Sequence, residues 1–171
     1  TQIRRASIAS GEFGDKAITK LDAQIRQLGV SSSNFFKKGE IAEGFKELVK
    51  GGRSTAEALS SLPAIMNAAV VGEMKLAEAS QVSVKILTAF NIEANNTDKA
   101  MNRLVQATNA APQTFKQLTD ALFKAAGTAK VAGLTFNETT TLVSLLSKEG
   151  FAGPEAGTAI KTFLNYLYRA Q

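Results

Sequence analysis

Glycine, asparagine or proline interrupts the sequence at a nearly constant interval, at Gly52, Gly72, Asn91, Pro112, Gly133 and Gly153. The spacing is about 20 residues, room for one helix of several turns between breaks. Inside each interval apolar residues recur at three- and four-residue steps, the period of a helix with one buried face. No stretch alternates over a useful length, so strands have nothing to build from. An all-α fold follows. Each pair of helices makes a hairpin of about 40 residues, and consecutive antiparallel hairpins form a bundle or a short solenoid-like stack.

The breaks have their own chemistry. Gly52, Gly72, Asn91, Gly133, Gly150, Gly153 and Gly157 are the expected structural turns, because glycine and asparagine tolerate the left-handed backbone that ends a helix. Ser54-Thr55-Ala56-Glu57 reads as a capping signal, and Thr97 or Asn96 caps the helix that follows Asn91. Ala111-Pro112 closes the next helix, since a residue before proline is pushed away from helical geometry. Pro63 interrupts an apolar stripe and is expected to kink or restart its helix.

The stripes can be read off directly. Ile18, Leu21, Ile25 and Leu28 come first, after Asp15 as N-cap; then Ile41, Phe45, Leu48 and Val49; then Leu59, Leu62, Ile65, Met66 and Ala69. Ala79, Val82, Ile86 and Phe90 follow, and after them Met101, Leu104, Val105 and Thr108. The longest runs through Phe115, Leu118, Leu122, Ala125, Ala126 and Ala129, where small residues permit close approach. Leu142, Val143, Leu145 and Leu146 make the next stripe. Ala156, Ile160, Phe163, Leu164 and Leu167 make the last, with Tyr166 and Tyr168 at its edge. Residues 1–14, containing Gly11 and Gly14, read as a flexible lead-in or linker, and residues 15–171 as the helical region.

Much familiar chemistry is missing. The chain has no cysteine and no histidine, which removes thiolate nucleophiles, imidazole bases, disulfides and the usual zinc ligands. No catalytic, cofactor-binding or metal site is assigned, and no small-molecule substrate. Glu40, Glu43 and Glu47 share helical spacing, but with apolar neighbours on the opposite face they read as solvated. Gly153-Pro154-Glu155-Ala156-Gly157-Thr158 lacks the lysine of a phosphate loop and reads as a helix-start turn. Lys50 to Thr55 places glycines and a hydroxyl at a helix N-terminus, where capping explains them better than an anion does.

Net charge is +5, yet Arg4, Arg5, Lys37, Lys38, Lys46, Lys50, Arg53, Lys124 and Lys130 are interleaved with acids. Nucleic-acid contact is therefore at most non-specific. The most apolar stretch, Leu62 to Val71, contains Asn67 and is too short to span a membrane, and no secretory signal follows Arg4 and Arg5. Opening on Thr1 in place of Met suits an excised fragment.

Several strings, taken in order, resemble the core region of phage tail tape-measure proteins. They run from Glu47 to Tyr168: LVKGGRSTAEALSSLPAIMNAA, LAEASQVSVKILTAFNIEANN, LVQATNAAPQTFKQLTDALFKAAGTAKVAGLTFNETTTLVSLLSKEG and AGPEAGTAIKTFLNYL. Asn91 stands where that family has glycine after Ala89-Phe90, a substitution the left-handed turn accepts. Thr1 to Ser33 carries no such match.

The resemblance implies a structural protein that lies inside a growing tail tube, sets its length and leaves ahead of the genome. It also implies tail tube, baseplate or tail-tip proteins and assembly chaperones as partners, along with self-association and host-envelope contact at ejection. The implied locations are the virion tail and, during assembly, the host cytoplasm. A helical-repeat adaptor or a weak helical nucleic-acid binder are the readings from other classes.

Overall fold

The computed structural model describes residues 15–31 and 35–169. Eight α-helices occur among them: α1 Asp15–Ser31, α2 Lys38–Lys50, α3 Thr55–Val71, α4 Leu76–Ala89, α5 Thr97–Ala110, α6 Phe115–Val131, α7 Phe136–Lys148 and α8 Pro154–Arg169. A 3₁₀ turn, Ala94–Asn96, precedes α5, and the described residues contain no strand. The lead-in expected over residues 1–14 lies outside the described residues, as do the side chains of Ile18, Leu21 and Tyr168. The chain divides into two compact units, residues 1–84 with 94–98, and residues 85–93 with 99–171.

In the first unit α2 packs against α1 and α3, and the 3₁₀ turn lies against α3. Its core is mostly aliphatic: Ile25, Ile41, Leu48, Leu62, Ile65 and Leu76 are fully or nearly fully buried, with the ring of Phe45 among them. Two glycines let side chains of α4 pack directly onto the backbone. A Cβ on Gly44 would lie 2.7 Å from Leu76 Cγ, and one on Gly51 would lie 2.6 Å from Val84 Cγ2. Gly51 is expected from the sequence, with Gly52, only to end its helix, and Gly44 carries no expectation, because a close approach leaves no local signal.

Pro63 does not restart α3, which runs through it from Thr55 to Val71. The proline is on the exposed face, where the Leu59 carbonyl that loses its partner can be met by water. The stripe of α4 is also more polar than expected. Ser80 and Ser83 are buried beside Leu76, Ala79, Ile86 and Leu87, whereas Val82 and Phe90 are only half-buried.

In the second unit α6 is the central element. Phe115, Leu118, Ala121, Leu122, Ala125, Ala126 and Ala129 are buried, and α6 packs against both α7 and α8. Its more extensive interface is with α8, the helix that is not its neighbour in sequence. Small residues explain the closeness: a Cβ on Gly157 would lie 2.5 Å from the Ala121 carbonyl oxygen. Gly157 is therefore not a turn residue; it sits inside α8 as the point where two helix backbones meet. Phe90 and Phe136 close another part of this unit edge to face, with ring centroids 5.3 Å apart.

The buried face of α7 differs from the leucine stripe read in the sequence. Thr139, Thr140, Val143 and Ser147 face inward, while Leu142 and Leu146 are half-buried and Leu145 is 54% exposed. The hydroxyls make this arrangement inexpensive. Thr139 Oγ1 donates to the Thr135 carbonyl at 2.8 Å and Thr140 Oγ1 to the Phe136 carbonyl at 2.7 Å, so each residue meets its neighbours with its methyl group. The stripe of α8 narrows likewise: Ala156, Ile160 and Leu164 are buried, but Phe163 is 59% exposed and Leu167 is also turned outward.

Candidate functional site: helix junctions and exposed faces

Five helices end in the same way. The residue after the C-cap takes a left-handed conformation, with φ of 85° at Gly52, 49° at Glu73, 53° at Asn91, 76° at Gly133 and 91° at Gly150. In each, two backbone bonds fold the chain over the last turn. Gly133 N–H donates to the Lys130 carbonyl at 3.1 Å and Leu134 N–H to the Ala129 carbonyl at 2.9 Å. Equivalent pairs reach Val49 and Leu48, Val70 and Ala69, Thr88 and Leu87, and Ser147 and Leu146. Gly153 also has positive φ, at the entry to α8.

Gly72, like Gly157, departs from the expected turn residues. It is the C-cap of α3 with φ −82°, and the left-handed position falls one residue later, on Glu73. Sequence reasoning passed over Glu73 because a charged side chain gives no hint of positive φ.

The N-termini are sealed as regularly. Ser54 and Glu57, Thr114 and Gln117, and Thr135 and Glu138 form reciprocal capping boxes. Ser54 N–H donates to Glu57 Oε2 at 2.9 Å and Thr135 N–H to Glu138 Oε2 at 2.8 Å. The anion-binding potential of the Lys50 to Thr55 turn is thus filled by the chain's own carboxylate. These bonds from the Ser54 and Thr135 backbones hold the Glu57 and Glu138 carboxyls below the usual glutamate range.

A pH dependence follows. A depressed carboxyl adds stability above its unfolded pKa and loses it as pH falls through its folded value. The melting temperature should therefore fall on acidification below about pH 4.5. Glu57→Gln with Glu138→Gln should fall less steeply, since glutamine already serves that position at Gln117. A melting curve series of equal slope in both proteins would refute the capping account.

Of the three helical glutamates, Glu40 accepts from Lys37 N–H at 2.8 Å and Glu43 is exposed. Glu47 is not solvated as expected: its side chain is only 14% exposed, with Lys50 Nζ at 2.7 Å and Gln81 Nε2 at 3.0 Å. The Lys50 bond, then the Gln81 bond, lowers its pKa. Asp22 is lowered in the same way by Lys38 and Arg26. These carboxylates are structural partners of cations. No group of three or more metal-ligating residues occurs among the described residues, nor a helix long and apolar enough to cross a membrane.

Apolar side chains also reach the surface. Phe163, Tyr166 and Leu167 are exposed on α8, Val131 at the end of α6 and Leu145 on α7. A groove of about 300 Å³ lies beside Gly127, Val131, Leu164 and Asn165, and another of about 410 Å³ beside Leu134, Thr141 and Leu142.

Residues 22–171 match the family described as phage-related minor tail protein. The chain belongs to that family. It is 23% identical over 166 residues to the tape measure protein of Pneumococcus phage Dp-1, covering 97% of this chain and 14% of that protein. It is 26% identical over 148 residues to the probable tape measure protein of Escherichia phage P2, covering 86% of this chain and 18% of that one. The chain thus spans less than a fifth of the curated relatives it matches. No solved structure matches it.

The resemblance to tape-measure proteins read from Glu47 onward is borne out. The match also begins earlier than the sequence reading placed it, within α1. Family membership places the chain among phage tail proteins.

Proposed function

We propose that this chain is a folded anchoring module of a tape-measure protein, acting in tail assembly and length determination as part of a longer chain that leaves the tail at genome ejection. The observation that carries this reading is the run of left-handed helix ends at Gly52, Glu73, Asn91, Gly133 and Gly150. A ruler has to be extended, and a continuous helix gains about 1.5 Å per residue. Chain that turns sharply at five helix ends and buries alanine- and leucine-lined faces is suited to holding a position and poorly suited to measuring a length.

On this reading the partners are tail tube, baseplate or tail-tip proteins and assembly chaperones, and assembly takes place in the host cytoplasm. Electron microscopy of mutant particles tests the proposal. Deleting residues 91–133 in frame removes α5 and α6 and should abolish or misdirect tail assembly. In-frame deletions in flanking helical regions should give intact tails, each shortened by about 1.5 Å per residue removed. Functional tails shortened in proportion to the 91–133 deletion would make this segment part of the ruler.

A further inference from the structure

Helix α5 and the loop that follows it meet α7 through polar bridges. Arg103 Nη2 donates to Thr141 Oγ1 at 2.6 Å, Gln113 Nε2 to Ser144 Oγ at 3.4 Å, and Ser147 Oγ to the Pro112 carbonyl at 3.2 Å. The seam is incompletely satisfied: Arg103 Nε and Gln113 Oε1 are buried without a partner. Between the two helices a groove of about 180 Å³ remains open, lined by Ala107, Ala110 and Leu145 with Arg103, Thr141 and Lys148. That volume suits one or two inserted side chains and is small for a free metabolite.

Charge in the groove is one-sided. Two of its lining residues are cations and none is a carboxylate. The Glu138 carboxylate, one turn before Thr141 on α7, is folded back onto Thr135. Leu145 is 54% exposed, an apolar side chain with room in front of it where Ala107 and Ala110 contribute only methyl groups. Thr141, beside Arg103, and Lys148 are seven positions apart on α7, a rise of about 10 Å.

We propose that this groove seats an acidic amphipathic helix from another protein. The visiting helix places an aliphatic side chain between Ala107, Ala110 and Leu145. Carboxylates seven residues apart, on one face at two-turn spacing, reach Arg103 and Lys148. A second copy of this chain and a lipid surface are the competing occupants, and the inference does not depend on the anchor reading above.

Two synthetic amphipathic peptides of equal length, each centred on leucine, test this against the whole chain by fluorescence anisotropy. One carries glutamates at the two flanking positions, the other lysines. The acidic peptide should bind in a salt-sensitive way and the basic one should not. Lys148→Glu, at an exposed position, should weaken acidic-peptide binding about tenfold or more with an unchanged circular dichroism spectrum. Leu145→Ser should weaken it too, and Arg103→Glu with Lys148→Glu should transfer the preference to the basic peptide.

Equal binding of both peptides, or of neither, overturns the proposal. So does self-association that depends on Leu145 and that the acidic peptide cannot displace, which would assign the groove to a second copy. Displacement of the peptide by phosphatidylserine vesicles would assign it to a lipid surface.

Discussion

Gly157→Val lowers the stability of this chain by about 3 kcal/mol or more. The substituted Cβ would stand 2.5 Å from the Ala121 carbonyl oxygen, 2.6 Å from Lys124 Cβ and 3.0 Å from Ala121 Cα. Two of these atoms are backbone, which cannot swing aside as the tip of a long side chain can. Either α8 lifts off α6, exposing Leu122, Ala125, Ile160 and Leu164, or the helices bend.

Gly133→Val is the useful comparison. Nothing lies within 4 Å of a Cβ there, so only the strain of φ +76° opposes the substitution. Its expected cost is about 1 kcal/mol or somewhat more. Thermal melting of the two variants separates the mechanisms, and a Gly157→Val protein that melts with the native one would show that α6 and α8 are not held at this distance.

Phe45→Ala costs about 3–5 kcal/mol. The ring is fully buried on α2, among the largest side chains of the first unit's core, and its removal leaves a cavity that fixed helices can only partly close. Phe163→Ser should change stability by no more than about 0.5 kcal/mol, because its ring is 59% exposed. Urea denaturation of both variants checks the contrast. Equal losses would mean that the outer face of α8 is covered.

The same two phenylalanines show how far the sequence could be read. Phe45 and Phe163 occupy equivalent places in their apolar stripes, so periodicity assigned both to the core. Periodicity finds the apolar face of a helix but not how much of that face a neighbour covers. In α7 the error runs the other way: Thr139, Thr140 and Ser147 are buried because their hydroxyls bond to backbone carbonyls, which a polarity count cannot foresee.

Helix boundaries were more legible, because caps are local. Ser54 with Glu57 and Gly133 after Val131 carry their signals within a few residues of the event they cause. Close approaches at Gly44, Gly51 and Gly157, and the groove between α5 and α7, depend on residues brought together from distant positions. No short window of sequence contains them.

That locality bears on how the chain reaches its fold. The bonds that stop α6 at Leu134 and start α7 at Thr135 lie within a dozen residues, so each helix can acquire its ends as soon as its own stretch has left the ribosome. Pairs such as α2 with α3 and α6 with α7 can close soon afterwards over short loops. The contact of Gly157 with Ala121 has to wait for nearly all of α8. Folding of the second unit is thus expected to be paced by the arrival of its last helix, with α6 already bounded and holding its alanine face open until α8 docks.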